Sequence, residues 1–286
     1  MKVSFIVPTH NEGSSIQGVI DGLQSLIKTL PQHEFEIVVI NDGSTDQTGQ
    51  ILEKNQGVKV ITHPYAKGYG ASLKAGIKNA SHDWVFFIDG DGQAKPEEIP
   101  KLLEFAGEYD MVVGARQNKN APLIRAPGRA LLHFLANYLS ERKIPDLNCG
   151  FRVIRKDKID QFRHLLPDSF SFTTTITLAF QKAGLDIKYI PITINKRSGG
   201  KSSVKPSHAI KMFFLILRTI TMFSPLRIFM PVFLVLLFVT AISLGYDIYH
   251  INISNTTTVL FLAALIIFFF GLLADQMSAI RREIRG

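Results

Sequence analysis

Cysteine is nearly absent from this sequence. Cys149 is the only one in 286 residues, which excludes an intramolecular disulfide and suits a reducing, cytosolic compartment. Met1 leads straight into a strand-like apolar run, so no cleavable signal peptide is expected. Internal repeats and low-complexity linkers are missing too, which excludes repeat architectures. The sharpest absence is of negative charge. No Asp or Glu falls between Asp186 and Asp247, yet that stretch holds Lys188, Lys196, Arg197, Lys201, Lys205, Lys211, Arg218 and Arg227. A basic run beside an apolar one fits anionic head groups or a phosphorylated lipid. Nucleic acid also attracts positive charge. However, no aromatic-interleaved basic patch or reading helix is visible, so no nucleic-acid partner is expected.

What is present divides the chain. Hydrophobic residues make up 46% of it, mean hydropathy is +0.15, and the excess is uneven. Up to about Pro206 the composition is that of a mixed globular domain, and from Ile210 onward it is almost continuously apolar. Segments 228–246 and 258–274 each reach the length of about 17–25 residues that a membrane span needs. Buried core helices are the competing reading, but length, apolarity and position at one chain end favour spans. Arg218 and Arg227 precede the first segment and Arg281, Arg282 and Arg285 follow the second, while 247–257 carry no Lys or Arg. The positive-inside rule then puts both termini in the cytosol. Between domain and spans, 207–222 are apolar except for His208, Lys211, Arg218 and Thr221, which share one helical stripe. An interfacial helix lying on the membrane is expected, with a third span as the alternative. The expected organisation is a cytosolic domain over 1–204, a juxtamembrane amphipathic helix over 205–225, and a two-helix transmembrane hairpin with a short cytosolic tail over 226–286. The spans could also bring copies of the chain together as a homo-oligomer.

In the first part, strand-like runs (3–7, 36–40, 58–61, 84–88, 110–113) alternate with helical patterns (14–30, 47–54, 70–79, 96–105). Such alternation predicts an α/β fold with a mostly parallel, doubly wound sheet. Ligands of such sheets bind beyond the carboxyl ends of the strands, and three of these ends carry polar clusters: Pro8-Thr9-His10-Asn11-Glu12, Asn41-Asp42-Gly43-Ser44 and Asp89-Gly90-Asp91-Gly92-Gln93. Any one could be a turn; together they converge on one crevice. Asp89 and Asp91 would repel each other there, and a hard divalent cation, Mg²⁺ or Mn²⁺, removes the repulsion using carboxylates and substrate phosphates. Gln93 can add a neutral oxygen, and Gly90 and Gly92 let a diphosphate approach the backbone. A solvated acidic turn is the commoner fate of an isolated Asp-x-Asp, but the strand and the companion clusters outweigh it. Lys67-Gly68-Tyr69-Gly70 opens a helix. It lacks P-loop spacing, so it reads as a loop closing over a nucleotide, with phosphate reception at the helix start as the weaker option.

These stretches, with Gly150-Phe151-Arg152-Val153 and Arg197-Ser198-Gly199-Gly200-Lys201-Ser202, resemble the family 2 glycosyltransferases of GT-A fold. The likeness is greatest to the polyisoprenyl-phosphate branch typified by dolichol-phosphate mannose synthase, and it covers roughly 1–205. The resemblance implies a GT-A, Rossmann-like domain that moves a hexose, mannose or glucose, from a GDP- or UDP-sugar to a polyprenyl or dolichyl phosphate. It implies that Pro8, Thr9, Asn11, Glu12 and Asp42 hold the nucleoside, and that Asp89, Asp91 and Gln93 hold metal and diphosphate. Lys67, Gly68 and Gly90 join the nucleotide side. The family often has two acids where Asn41-Asp42 stand.

Guanidinium forks suit phosphate oxygens, so Arg116, Arg129, Arg197 and Lys201 are candidates for the acceptor phosphate, with Ser202 as the alternative to Lys201. Arg125 divides evenly between that role and solvated charge. Catalysis would fall to Asp89, Asp91, Arg129 and Arg197. For Asp168-Ser169-Phe170 and Thr173-Thr174-Thr175 a helix cap is favoured over an acceptor loop, and Cys149 reads as a small buried residue. A phosphate monoester is already mostly ionised at neutral pH, so no dedicated base is required, and one in-line displacement with inversion is expected. The alternatives are a membrane glycosyltransferase with another lipid or polysaccharide acceptor, and a membrane-tethered nucleotide-sugar sensor. Trp84 is the only tryptophan, so the QxxRW-type motif usual in processive synthases is missing.

Overall fold

The computed structural model describes residues 1–117, 144–146, 149–169, 171–195, 217, 221, 224–251 and 254–280, and the main chain of 281–283. The chain divides into two compact units, Met1–Met212 and Phe213–Gly286.

The first unit is built on a seven-stranded sheet: β1 (Lys2–Thr9), β2 (Glu34–Asn41), β3 (Lys59–Thr62), β4 (Trp84–Phe87), β5 (Met111–Arg116), β6 (Arg152–Arg155) and β7 (Ile187–Ile192), in the order β3-β2-β1-β4-β6-β5-β7. All neighbours are parallel except β6, which runs antiparallel to both β4 and β5. Central parallel strands are covered on both faces and therefore read as unbroken apolar runs. Val3, Phe5, Ile6 and Val7 of β1 and Val38, Val39 and Ile40 of β2 are accordingly fully buried.

Helix α1 (Ile16–Thr29) buries Ile16, Val19, Ile20 and Leu23, one stripe of a 3.6-residue period. α2 (Thr48–Glu53) and α3 (Tyr69–Asn79) follow β2 and β3. α3 packs close to the sheet at Gly76, where a Cβ would lie 2.3 Å from Ile6 Cγ2. The helix expected over 96–105 is a 3-10 turn, Pro96–Glu98, running into α4 (Ile99–Leu103). α5 (Lys156–Phe162) and α6 (Phe172–Lys182) are the other described helices of the unit.

The winding reverses between β1 and β4: β2 and β3 lie on one side of β1, and the later strands on the other. That switch point is where an open α/β sheet leaves a crevice.

The second unit is a hairpin of α7 (Leu226–Tyr249) and α8 (Asn255–Glu283). Phe229 meets Gly271, Phe233 stacks on Phe268 at 5.0 Å, and Ser243 meets Thr257 at 2.5 Å, which is the pairing of antiparallel helices. Both helices are long and apolar enough to cross a membrane, and only 6% and 17% of their apolar windows are buried. A core-helix reading needs them covered. Instead Val235, Phe238, Ile242, Phe270 and Leu273 face outward. The connection is held by Asp247, whose carboxylate accepts from Ser254 N at 2.8 Å and Thr257 Oγ1 at 2.6 Å, with Ser254 at the start of α8. Of the interfacial helix expected over 207–222, all but Leu217 and Thr221 lies outside the described residues.

Candidate active site

Main-chain hydrogen bonds continue the sheet register past the strand ends. Asp42 N donates to Thr9 O at 2.9 Å and Gly90 N to Pro8 O at 3.3 Å, which places Asp42 and Gly90 on either side of the β1 terminus. The three clusters therefore do meet. Asn11, in the left-handed region at φ 55°, accepts from Thr45 N at 2.8 Å, and its own N–H donates to Ser44 Oγ. Glu12 N donates to Thr48 Oγ1, and Ser15 Oγ bridges Glu12 and Gly90 O. Thr9 Oγ1 is buried at the crevice floor with no partner among the described residues. A buried hydroxyl without a partner costs about 1–3 kcal/mol.

Asp42 is buried, and its donors are ones the sequence did not point to. Oδ1 accepts from His63 Nδ1 at 2.7 Å and Lys67 N at 2.9 Å, and Oδ2 accepts from Gly68 N at 2.8 Å. The Lys67 and Gly68 amides thus face a protein carboxylate. The next donors, Gly70 N and Ala71 N, are taken by Asp168 O at 3.0 and 3.3 Å. Four amides around the start of α3 are thus met from within the chain, two by a carboxylate and two by a carbonyl. The same contacts show what the stretch 168–175 does at the helix ends. Asp168 caps α3 through its carbonyl, and Thr173, Thr174 and Thr175 are buried inside α6. Tyr65 is 66% exposed beside this loop, with Lys67 Nζ 5.8 Å from its ring centre.

Asp89 and Asp91 stand at the end of β4. Asp91 Oδ1 accepts from Gln93 N at 3.0 Å, and Gln93 O accepts from Asn195 N at 2.9 Å, tying this turn to the last residues described before the basic loop. Asp89 Oδ1 accepts from the Tyr69 hydroxyl at 2.9 Å. Burial first, then the charge of Asp91, push the Asp89 carboxyl up to about 6. No group of three or more His, Cys, Asp or Glu side chains converges as a metal cage among the described residues. Two carboxylates are nonetheless the protein share that Mg²⁺ or Mn²⁺ takes when phosphates supply the rest.

Arg116 is positive near this pair, but its fork is engaged with Asp146: Nε to Oδ2 at 2.7 Å and Nη2 to Oδ1 at 2.9 Å. Cys149 is buried as expected, and burial pushes its thiol up to about 11. Arg125, Arg129, Arg197, Lys201 and Ser202 lie outside the described residues. Sequence reasoning passed over His63 and Asp146 and assigned Tyr69 and Arg152 no role of their own. Their partners are remote in sequence or main-chain atoms, which leave no local pattern.

Sheet order, crevice and paired carboxylates define a GT-A type α/β transferase. Two structures of glucosyl-3-phosphoglycerate synthase from Mycobacterium tuberculosis share the fold. One holds Mn²⁺, UDP and glucosyl-3-phosphoglycerate, and the other Mg²⁺ and UDP. Their TM-scores are 0.62 and 0.61 at 21% identity, over 76% of this chain and 79% of theirs. The chain belongs to glycosyl transferase family 2, whose profile matches residues 4–163. A second profile, the GtrB C-terminal hairpin, matches residues 224–280. The chain is therefore a glycosyltransferase, and the sensor reading falls. Similar proteins include the undecaprenyl-phosphate 4-deoxy-4-formamido-L-arabinose transferases of Klebsiella pneumoniae (strain 342) and Pseudomonas fluorescens (strain Pf0-1). The first is 27% identical over 233 residues, 79% of this chain and 69% of that protein. The second is 28% identical over 243 residues, 79% of this chain and 66% of that protein.

Proposed function

We propose that this enzyme transfers one sugar, a hexose, from a UDP- or GDP-sugar to a polyprenyl phosphate at the cytosolic face of a membrane. The observation that carries the reading is the joining, in one chain, of a strand-end crevice holding Asp89, Asp91 and the unpartnered Thr9 hydroxyl to an apolar hairpin. The relatives named for undecaprenyl-phosphate sugar transfer support the acceptor class. Neighbours crystallised with Mn²⁺ or Mg²⁺ and UDP support the donor and cation.

Asp89 and Asp91, with Gln93, would hold Mg²⁺ or Mn²⁺. Such an ion, when bound, neutralises the leaving diphosphate as a Lewis acid. The chain's own residues do the rest. Pro8, Thr9, Asn11 and Glu12 line the nucleoside side, with Asp42 bracing the loop beside them, and the exposed Tyr65 ring offers a face to the base. Gly90 and Gly92 leave room for the diphosphate. Arg129, Arg197 and Lys201 or Ser202 would clamp the acceptor phosphate, already mostly ionised at neutral pH, for in-line attack with inversion. Arg227 at the start of α7 and the arginines at the end of the chain support cytosolic termini, so that the lipid phosphate and the nucleotide-sugar would meet on one side.

A radiolabelled transfer assay tests this. Membranes containing the enzyme are given undecaprenyl phosphate or diacylglycerol with a panel of UDP- and GDP-sugars, with and without EDTA. Chelator-sensitive labelling of the lipid phosphate is expected. Labelling of diacylglycerol alone, or labelling indifferent to EDTA, would overturn the reading.

A further inference from the structure

Asp89 does not stand free in the crevice. The Tyr69 hydroxyl donates to its Oδ1 at 2.9 Å. From the other side Gly150 presses on both groups: a Cβ there would lie 2.7 Å from the Tyr69 hydroxyl, 3.0 Å from Asp89 Oδ2 and 3.2 Å from Oδ1. Each member of this contact is itself held. Tyr69 opens α3, and the main chain before and after it is fixed by Asp42 and by Asp168 O. Gly150 sits between two anchors. Cys149 O accepts from Arg152 Nε at 3.0 Å and also from Nη2, and Phe151 O accepts from Gly114 N at 2.9 Å while its ring packs edge-on against Phe86 at 4.9 Å. Arg152 is fully buried, with Nη1 donating to Thr177 Oγ1 at 2.9 Å and Thr173 O at 3.2 Å.

An aspartate carboxylate turns readily about its last torsion. Metal-ligating carboxylates are usually fixed by a further hydrogen bond, and loss of that partner typically costs about tenfold to a hundredfold in metal affinity or activity. We propose that Tyr69 and Gly150 are positioning residues that lock the orientation of Asp89, so that the metal carboxylate and the Lys67–Gly70 loop are set as one unit. This rests on the reading of Asp89 as a metal ligand. It accounts for the stretch Gly150-Phe151-Arg152, in which Arg152 fixes the Cys149 carbonyl, Phe151 fixes the turn, and Gly150 supplies a surface that no side chain could. The same geometry requires tyrosine rather than phenylalanine at 69, because only the hydroxyl reaches Asp89. It also joins the two ends of the donor site, since the loop tied to Asp89 through Tyr69 is tied to Asp42 through its amides.

The test uses the full chain in detergent with Mn²⁺ alone, counting free ion by electron paramagnetic resonance, beside thermal unfolding without metal. Tyr69→Phe keeps the ring and loses the hydroxyl. Gly150→Ala keeps the hydroxyl and crowds it off Asp89. Each is expected to raise the Mn²⁺ dissociation constant about tenfold. The Tyr69→Phe melting temperature should stay near that of the wild type. The double variant should bind no more weakly than the weaker single, because both act through one contact. Wild-type Mn²⁺ affinity in Tyr69→Phe, or effects that multiply in the double variant, would overturn the positioning role while leaving the metal reading intact. Failure of the wild type to bind Mn²⁺ would overturn both.

Discussion

Asp42 shows how a residue can be legible by position while its contacts are not. Its place after an apolar strand marked it for the crevice, and it is there. Its carboxylate, however, is taken by His63 and by the Lys67 and Gly68 amides. A main-chain N–H donor has no signature in a sequence, and His63 lies 21 residues away. The paired acids Asp89 and Asp91 were easier, because two carboxylates after a buried strand create a problem that few chemistries solve. Burial alone would raise the Asp42 pKa, but its hydrogen bonds outweigh burial and hold the carboxyl below its ordinary value of 3.8. A depressed folded-state pKa contributes stability that is present above the unfolded value and lost as pH falls through the folded one. Asp42→Ala leaves two amides without an acceptor and is expected to cost about 2–3 kcal/mol near neutrality. Urea unfolding of the full chain in detergent should show that gap, and the gap should narrow as pH falls below about 4, where Asp42 protonates in the unfolded chain before it does in the folded one. A gap independent of pH would show that Asp42 contributes through packing instead.

Elements were legible where one periodicity ruled them. β4 is apolar throughout and β1 and β2 are apolar over Phe5–Val7 and Ile37–Ile40, where both faces are covered, and α1 repeats its apolar residues at helical spacing. β6 was not. It is four residues long with arginine at each end, and it inserts antiparallel between β4 and β5 with Arg152 pointing into the core. Its acceptors, Cys149 O, Thr173 O and Thr177 Oγ1, come from a turn and from α6, so no local pattern announces that the cation can be buried. Helix packing sets a testable contrast between two glycines. At Gly76 of α3 a Cβ would lie 2.3 Å from Ile6 Cγ2 and 3.0 Å from Ile40 Cδ1, whereas at Gly18 of α1 nothing lies within 4 Å. Gly76→Ala should therefore destabilise by about 1–3 kcal/mol, as overpacking does. Gly18→Ala should stabilise by about 0.5–1 kcal/mol, since alanine loses less backbone entropy in a helix. Opposite shifts in melting temperature are the expected result, and equal shifts would mean that α3 does not seat on the sheet through Gly76.

At the scale of the whole molecule, charge and apolarity are sorted along the chain. Glu12, Asp42, Asp89 and Asp91 stand just past strand ends of the first unit, and no acid occurs between Asp186 and Asp247. On our reading the donor, a nucleotide-sugar, comes from water and needs the first set. The acceptor phosphate on our reading is carried by a lipid and would arrive at head-group level, where a juxtamembrane Lys or Arg gains about 1 kcal/mol from anionic charge. The described chain runs β7, then Thr193 and Asn195, whose hydroxyl and amide bond Glu98 and Gln93, so the segment leading into the basic loop starts from the metal-side turn. Arg197 follows two residues later, before the apolar hairpin begins. The two substrates should then depend on separate residues. If Arg197 holds the acceptor phosphate, as proposed, Arg197→Ala should lose one charge-assisted contact, worth about 1.5–3 kcal/mol, or roughly tenfold to a hundredfold in acceptor use. Nucleotide affinity should barely change, because Thr9, Asp42, Asp89 and Asp91 are untouched. Asp91→Ala should show the reverse, losing nucleotide binding in the presence of Mn²⁺ while acceptor affinity holds. Acceptor kinetics and a nucleoside-diphosphate titration on both variants separate the two contributions. If Arg197→Ala abolished nucleotide binding and left acceptor kinetics unchanged, the basic loop would belong to the donor, and the lipid phosphate would have to be held elsewhere.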